Sequence, residues 1–199
     1  MKRELKTELT KQKIINAAIR EFSRSGYEKS SINEICKSGI NKGLIYHNFK
    51  NKDELYLICV KISCDGFLDL MDQKMEKVDM NRYFELREEY SCREESRIFF
   101  EALLNPPVHL EQEIRTVLKP FYEHREKVIK EVLSSFPLRE GWTMEEACRY
   151  FALIIDGYNE FFSRKRMNNP ELTSIVEKHE NDVPKLIDLL LYGVVKRLQ

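Results

Sequence analysis

Apolar side chains recur along this chain every three or four residues, the period of a helix with one buried face. Ile14, Ala18 and Phe22, flanked by Ile15 and Ala17, form the first stripe and predict a helix from Thr10 to about Ser25, closed by Gly26. The charged residues 1–9 ahead of it read as a frayed arm. Ser31 and Glu34 have capping-box spacing, so a short helix starts at Ile32, with Ile32, Ile35 and Cys36 on one stripe. Gly39 ends it, and Asn41 caps the next helix, which carries Lys42, Gly43, Leu44, Tyr46 and His47, with Ile45 and Phe49 turned to the core. Asn51 then caps a long helix reaching about Lys77.

Beyond it the helical period continues with interruptions. Helices are predicted over Met80–Tyr90, Glu94–Leu104, Leu110–Leu118 and Phe121–Phe136, with breaks at Asn105-Pro106-Pro107 and at Pro120. Thr143 caps a helix to about Arg166, a polar connection runs from Asn168 to Asp182, and Pro184 opens the last helix. Leu186, Leu189, Leu190, Val194 and Val195 cover more than one face of that last helix, so it must be buried on several sides.

The stretch Ser31 to Phe49, SINEICKSGINKGLIYHNF, is thus two short helices joined by a tight Gly-containing turn, the helix-turn-helix arrangement. In that motif the second helix enters the major groove of DNA. GINKGLIYHNFKNKDEL, together with TKQKIINAAIREFSRSGYEKSS upstream, resembles the signature of the tetracycline-repressor (TetR) family of bacterial regulators over roughly residues 8 to 60. Ile15, Ala18, Phe22, Gly26 and Tyr27 sit where that family has its first helix and the following turn. Leu44 stands where the family usually has Thr or another small polar residue, which favours contact with a thymine methyl over a hydrogen bond. Cys36 replaces the usual Ala and is expected to pack.

The resemblance implies an all-α fold. A three-helix helix-turn-helix DNA-binding domain (8–55, motif 31–49) is joined by a long helix to a helical effector-binding and dimerisation domain (56–199). It also implies that Lys52, at the N-terminus of the long helix, meets the DNA backbone. Ser31, Lys42, Tyr46 and Lys52 are then the residues that position the protein on phosphate, with Gly43 letting the backbone approach. Asn41, Leu44 and His47 are the candidates to read base edges.

The charge distribution agrees with a chain that meets phosphate at one end. The formal net charge is zero, but residues 1–55 carry 12 Lys/Arg against 7 Asp/Glu, a surplus of five, and the remainder carries the opposite surplus. Lys2, Arg3, Lys6 and Lys11 fit phosphate contacts too, although a solvated tail explains them better. The 5 cysteines are an odd number without a CxxC pair and the 4 histidines are scattered, so neither a disulfide framework nor a structural metal is expected. No cofactor is expected either. Apolar runs far shorter than a membrane span and a charged N-terminus make the cytoplasm the expected location.

Most of the aromatics fall after residue 55. Tyr83, Phe99, Phe100, Phe121, Tyr122, Phe151 and Tyr158 are candidates to line an apolar effector pocket, although each taken singly reads better as ordinary core. In the last two helices Phe151, Ile155, Phe162, Leu186, Leu190 and Val194 are candidates for a homodimer interface built as a four-helix bundle. Tyr150, Ile154, Gly157 and Phe161 form a second stripe on the first of those helices. The expected function is a homodimeric, ligand-responsive repressor of a palindromic operator. The alternative is a DNA-binding interaction protein without an inducer. Paired catalytic carboxylates, a nucleophile elbow and a phosphate loop have no counterpart in the sequence, so an enzyme is not expected.

Overall fold

The computed structural model describes residues 2–166 and 172–194, with the side chains of 5, 7–161 and 177–192. Among these residues every regular element is helical: α1 (Lys2–Lys29), α2 (Ile32–Cys36), α3 (Lys42–Asn48), α4 (Lys52–Lys74), α5 (Met80–Ser91), α6 (Ser96–Leu104), a 3₁₀ turn (Val108–Leu110), α7 (Glu111–Val117), α8 (Lys119–Ser134), α9 (Met144–Arg166) and α10 (Leu172–Val194).

The caps explain most boundaries. The Ser31 side chain accepts from the Glu34 N–H, Asn41 from Gly43, Asn51 from Glu54 and Asp79 from Arg82, each satisfying a helix N-terminus. Thr143 and Glu146 form a reciprocal capping box at α9. Pro120 sits in the first turn of α8, where its missing N–H costs nothing.

Two expectations are corrected. Residues 2–9 are not a frayed arm but the first turns of α1; the segment is rich in Lys, Glu and Leu and holds no helix breaker before Thr10. The polar connection before Pro184 is helical from Leu172 onward, α10 having Pro184 inside it, while residues 168–171 lie outside the described residues. That polar run is held by partners far away in sequence. Arg87 on α5 grips both carboxylate oxygens of Glu180 at 2.9 and 2.7 Å, and the His179 ring meets Asn159 on α9 at 2.8 Å.

One apolar core runs without a break from Ile14, Phe22 and Ile45 through Leu55 and Phe67 on α4 to Phe99, Phe121 and Val132. The proposed boundary near residue 55 therefore falls inside α4, with continuous packing on either side. At its centre Phe67 stacks on Phe99 with centroids 5.1 Å apart, and Phe121 meets Phe99 edge-on at the same separation. A second cluster around Leu133, Ala147, Phe151, Ile187 and Leu190 joins α8, α9 and α10. Burial pushes the thiols of Cys59 and Cys64 up to about 12 and about 11, as suits packing groups.

Candidate functional site

Helix α3 is fastened by two side chains and leaves the others free. Ile45 (1% exposed) and Phe49 (4%) enter the core, while Leu44 and Tyr46 remain 40% and 51% exposed. Asn41, Lys42, Gly43 and His47 are exposed as well, so α3 presents two basic or titratable groups, an amide, a phenol and one isobutyl group to solvent. Two of these also have structural tasks. The Asn41 side-chain oxygen caps α3 at 2.8 Å from the Gly43 nitrogen, and a Cβ at Gly43 would lie 3.1 Å from that oxygen. Ser31 is half-buried and engaged as the cap of α2.

Lys52 is placed differently from the other candidates. It is half-buried; its ammonium lies 3.9 Å from the Tyr27 ring centroid and donates to the carbonyls of Tyr27 at 2.8 Å and Ser30 at 3.2 Å. Two of its three N–H groups are thereby turned to the end of α1. The Tyr27 hydroxyl in turn donates to Asp53 and meets the His109 ring. Burial, followed by the bond to Asp53, pushes the Tyr27 phenol far up.

Sequence reasoning missed the element behind this cluster. Gly26 interrupts α1 at φ 70, ψ 171, and the Tyr27 N–H it sets free donates to both oxygens of Glu101 on α6, at 3.2 and 3.0 Å. Glu101 is 2% exposed and also accepts from the Tyr56 hydroxyl at 3.3 Å. A carboxylate from the rear helices thus caps a break in the first helix. No local pattern marks it, because its partner lies 74 residues away.

Behind α6 lies a cavity of about 50 Å³ between α5, α8, α9 and α10. Tyr83, Phe121, Phe151 and Tyr158 line it, with Arg87, Arg125, Leu103, His179 and other side chains. Phe99 and Tyr122 do not line it, and Phe100 faces a separate open cleft that reaches Gly26 and Glu180. The correction follows from helix phase: Phe99, Phe100 and Phe121 are all buried, but Phe99 is surrounded by aromatic rings of the core.

Of the residues expected at a homodimer interface, two are taken up by the chain's own core. Phe151 and Leu190 are buried in the second core cluster, and Ile155 and Leu186 are packed against it. Phe162 and Val194 lie outside the residues whose side chains are described. Among the described side chains of α9 and α10, the large apolar groups that remain exposed are Tyr150, Leu153, Ile154 and Phe161 on α9 and Leu189 and Tyr192 on α10. Each helix is apolar on two sides, and the chain's own core takes Phe151 and Leu190.

Residues 14–58 match the model of the "Bacterial regulatory proteins, tetR family". Over 62 residues the chain is 37% identical to the negative transcriptional regulator of the biofilm operon icaADBC, IcaR, of Staphylococcus epidermidis. That stretch is 31% of this chain and about a third (34%) of the relative's length. Among solved structures, a putative tetR family transcription regulator from Shewanella sp. PV-4 is similar over 94% of this chain and 99% of its own, with 17% identity and a TM-score of 0.59. The transcriptional regulator FadR from Bacillus subtilis, solved in complex with stearoyl-CoA, is similar over 92% of this chain and 98% of its own, at 20% identity and a TM-score of 0.55. Residues 14–58 thus carry the helix-turn-helix front of the tetR family of bacterial regulatory proteins, and the whole chain has the all-helical fold of those solved structures.

Proposed function

We propose that this regulator is a homodimeric repressor that binds a palindromic operator and is released from it by a small molecule. The observation that carries the DNA-binding part is the exposure of Lys42, Leu44, Tyr46 and His47 on a helix pinned by Ile45 and Phe49. In this reading Lys42 and Tyr46 contact phosphate, with Gly43 letting the backbone approach, and Leu44 and His47 face base edges. Ser31, Asn41 and Lys52 contribute mainly by holding α2, α3 and the end of α1 in place, with their remaining donors directed to the backbone of the duplex.

Two copies pair through the exposed face of α9 and α10, including Leu153, Phe161 and Leu189, which places two recognition helices in successive major grooves about 34 Å apart. The cavity is the effector site. Leu103, in its wall, and Glu101, which caps Tyr27, both belong to α6, so a ligand that shifts α6 pulls on the joint beside α2 and α4. A coupling of about 1–3 kcal/mol between the two sites would suffice for a switch, and DNA would weaken effector binding by the same factor.

Fluorescence anisotropy with DNA fragments flanking its own gene tests the reading. Preferential, salt-sensitive binding of one fragment by a dimer is expected. Equal, weak binding to every fragment would refute it.

A further inference from the structure

The two arginines that line the cavity are in different states. Arg87 is engaged on all sides: Nε and Nη2 hold Glu180, and Nη1 reaches the Tyr83 hydroxyl at 3.5 Å. Arg125 on α8 is 8% exposed, and its Nη1 donates to Asp156 at 2.7 Å. Its Nε is shielded from solvent and has no hydrogen-bond partner among the described residues. A guanidinium stays charged at any physiological pH, and a buried donor left unmatched is costly. Asp156 is itself 55% exposed, so this ion pair of Arg125, the one it makes among the described residues, lies at the rim of the bundle and is screened by solvent.

Apart from Tyr83, Tyr158, Asn159 and His179 the rest of the wall is apolar, with Phe121, Val128, Phe151 and Ile187 among its residues, and no Asp or Glu lines the cavity among the described residues. A permanent cation with an unused N–H, set in a mostly apolar enclosure without an acid in its wall, is matched by an anion on an apolar body. We propose that the cavity binds an anionic amphiphile, a carboxylate carried on an alkyl or similar apolar group, and that Arg125 rather than Arg87 holds the carboxylate. The inference rests on the reading of this cavity as the effector site. Arg87 stays on Glu180 as part of the wall.

At about 50 Å³ the cavity is smaller than the body of such a ligand, so binding parts the helices. The wall that yields is α10. Pro184 lies within it and offers no N–H to the carbonyl of residue 180, so one rung of the helix is missing beside the cavity residues Val183, Leu186 and Ile187.

Calorimetric titration of the full chain with straight-chain carboxylates, alcohols of the same length and alkyltrimethylammonium ions, at about pH 7.5 where the acids are ionised, tests this. The carboxylate is expected to bind roughly 10- to 100-fold more tightly than the matching alcohol, with the ammonium ion weakest. Arg125→Gln should reduce carboxylate affinity to that of the alcohol and leave the alcohol unchanged, while Arg125→Lys keeps part of the preference. Thermal melts of both variants confirm that each is folded before it is titrated. If carboxylate and alcohol bind equally, or if Arg125→Gln keeps the preference, the anchor is refuted while the effector cavity stands. Should no probe bind at up to about 1 mM, the proposal is overturned, and the effector reading is then decided separately by whether any small molecule releases the DNA.

Discussion

Gly26→Ala probes the joint between the recognition domain and the helices behind it. The backbone at Gly26 has φ 70 and ψ 171, a region that residues with a Cβ hardly occupy, and holding alanine there costs about 1–3 kcal/mol. The added methyl would also lie 2.8 Å from the Glu101 Oε1, inside contact distance. Glu101 cannot swing away without giving up the Tyr27 N–H, a bond to a buried acid worth about 1.5–3 kcal/mol. Together the two effects amount to about 2.5–6 kcal/mol, a large part of a typical folding free energy. In a chain of this size that lowers Tm by about 5–20 °C. Differential scanning calorimetry reads it directly. The double variant Gly26→Ala/Glu101→Ser separates the parts: it removes the clash and leaves the backbone strain, so the cost of Gly26→Ala must be smaller in the Glu101→Ser background. A fall in Tm of less than about 2 °C for the single variant would show that neither the strain nor the cap is as described.

Other outcomes follow from the same contacts. Lys42→Ala should weaken binding to all DNA sequences alike and reduce the slope of log affinity against log salt by about 1 per recognition helix, whereas Leu44→Ala should change base preference at one position; anisotropy at several salt concentrations distinguishes them. Lys52→Met should lower thermal stability as well as DNA affinity, because its ammonium holds the Tyr27 and Ser30 carbonyls; a variant that melts like the parent would refute that task. Leu153→Glu and Leu189→Glu, on exposed positions, should give folded monomers by light scattering, and a dimer in both would place the interface elsewhere. Burial pushes the His124 imidazole below its usual 6.5, so the folded chain holds it neutral while the unfolded chain takes up a proton; stability is full above 6.5 and falls as the pH drops through the folded value. Urea midpoints measured from about pH 7.5 downwards should show this decline, and His124→Gln should flatten it.

The helix boundaries between Ser31 and Asn51 were legible because their signals are local. A cap and the N–H it satisfies lie two or three residues apart, as at Ser31, Asn41 and Asn51, and the glycine that ends a helix follows directly. The apolar stripe of α1, the exposure of Tyr46 and the burial of Ile45 and Phe49 follow from the same short-range periodicity. Helical type and approximate ends along the rear, the start of α10 excepted, were determined in the same way.

What only the tertiary structure decided is which of two apolar faces meets the chain's own core. On α9 both stripes have the right spacing, and the fold buries Phe151 while leaving Ile154 and Phe161 exposed. Nor does sequence give the pairing of buried polar groups across long separations: Glu101 with the Tyr27 N–H, Arg87 with Glu180, His179 with Asn159. A polar residue costs free energy when buried alone and little when partnered, so the polar run ahead of Pro184 reads as a loop until its partners are in place. Periodicity fixes the helices because it acts between neighbours on one helix, while the site behind them depends on contacts that exist only once distant helices have packed.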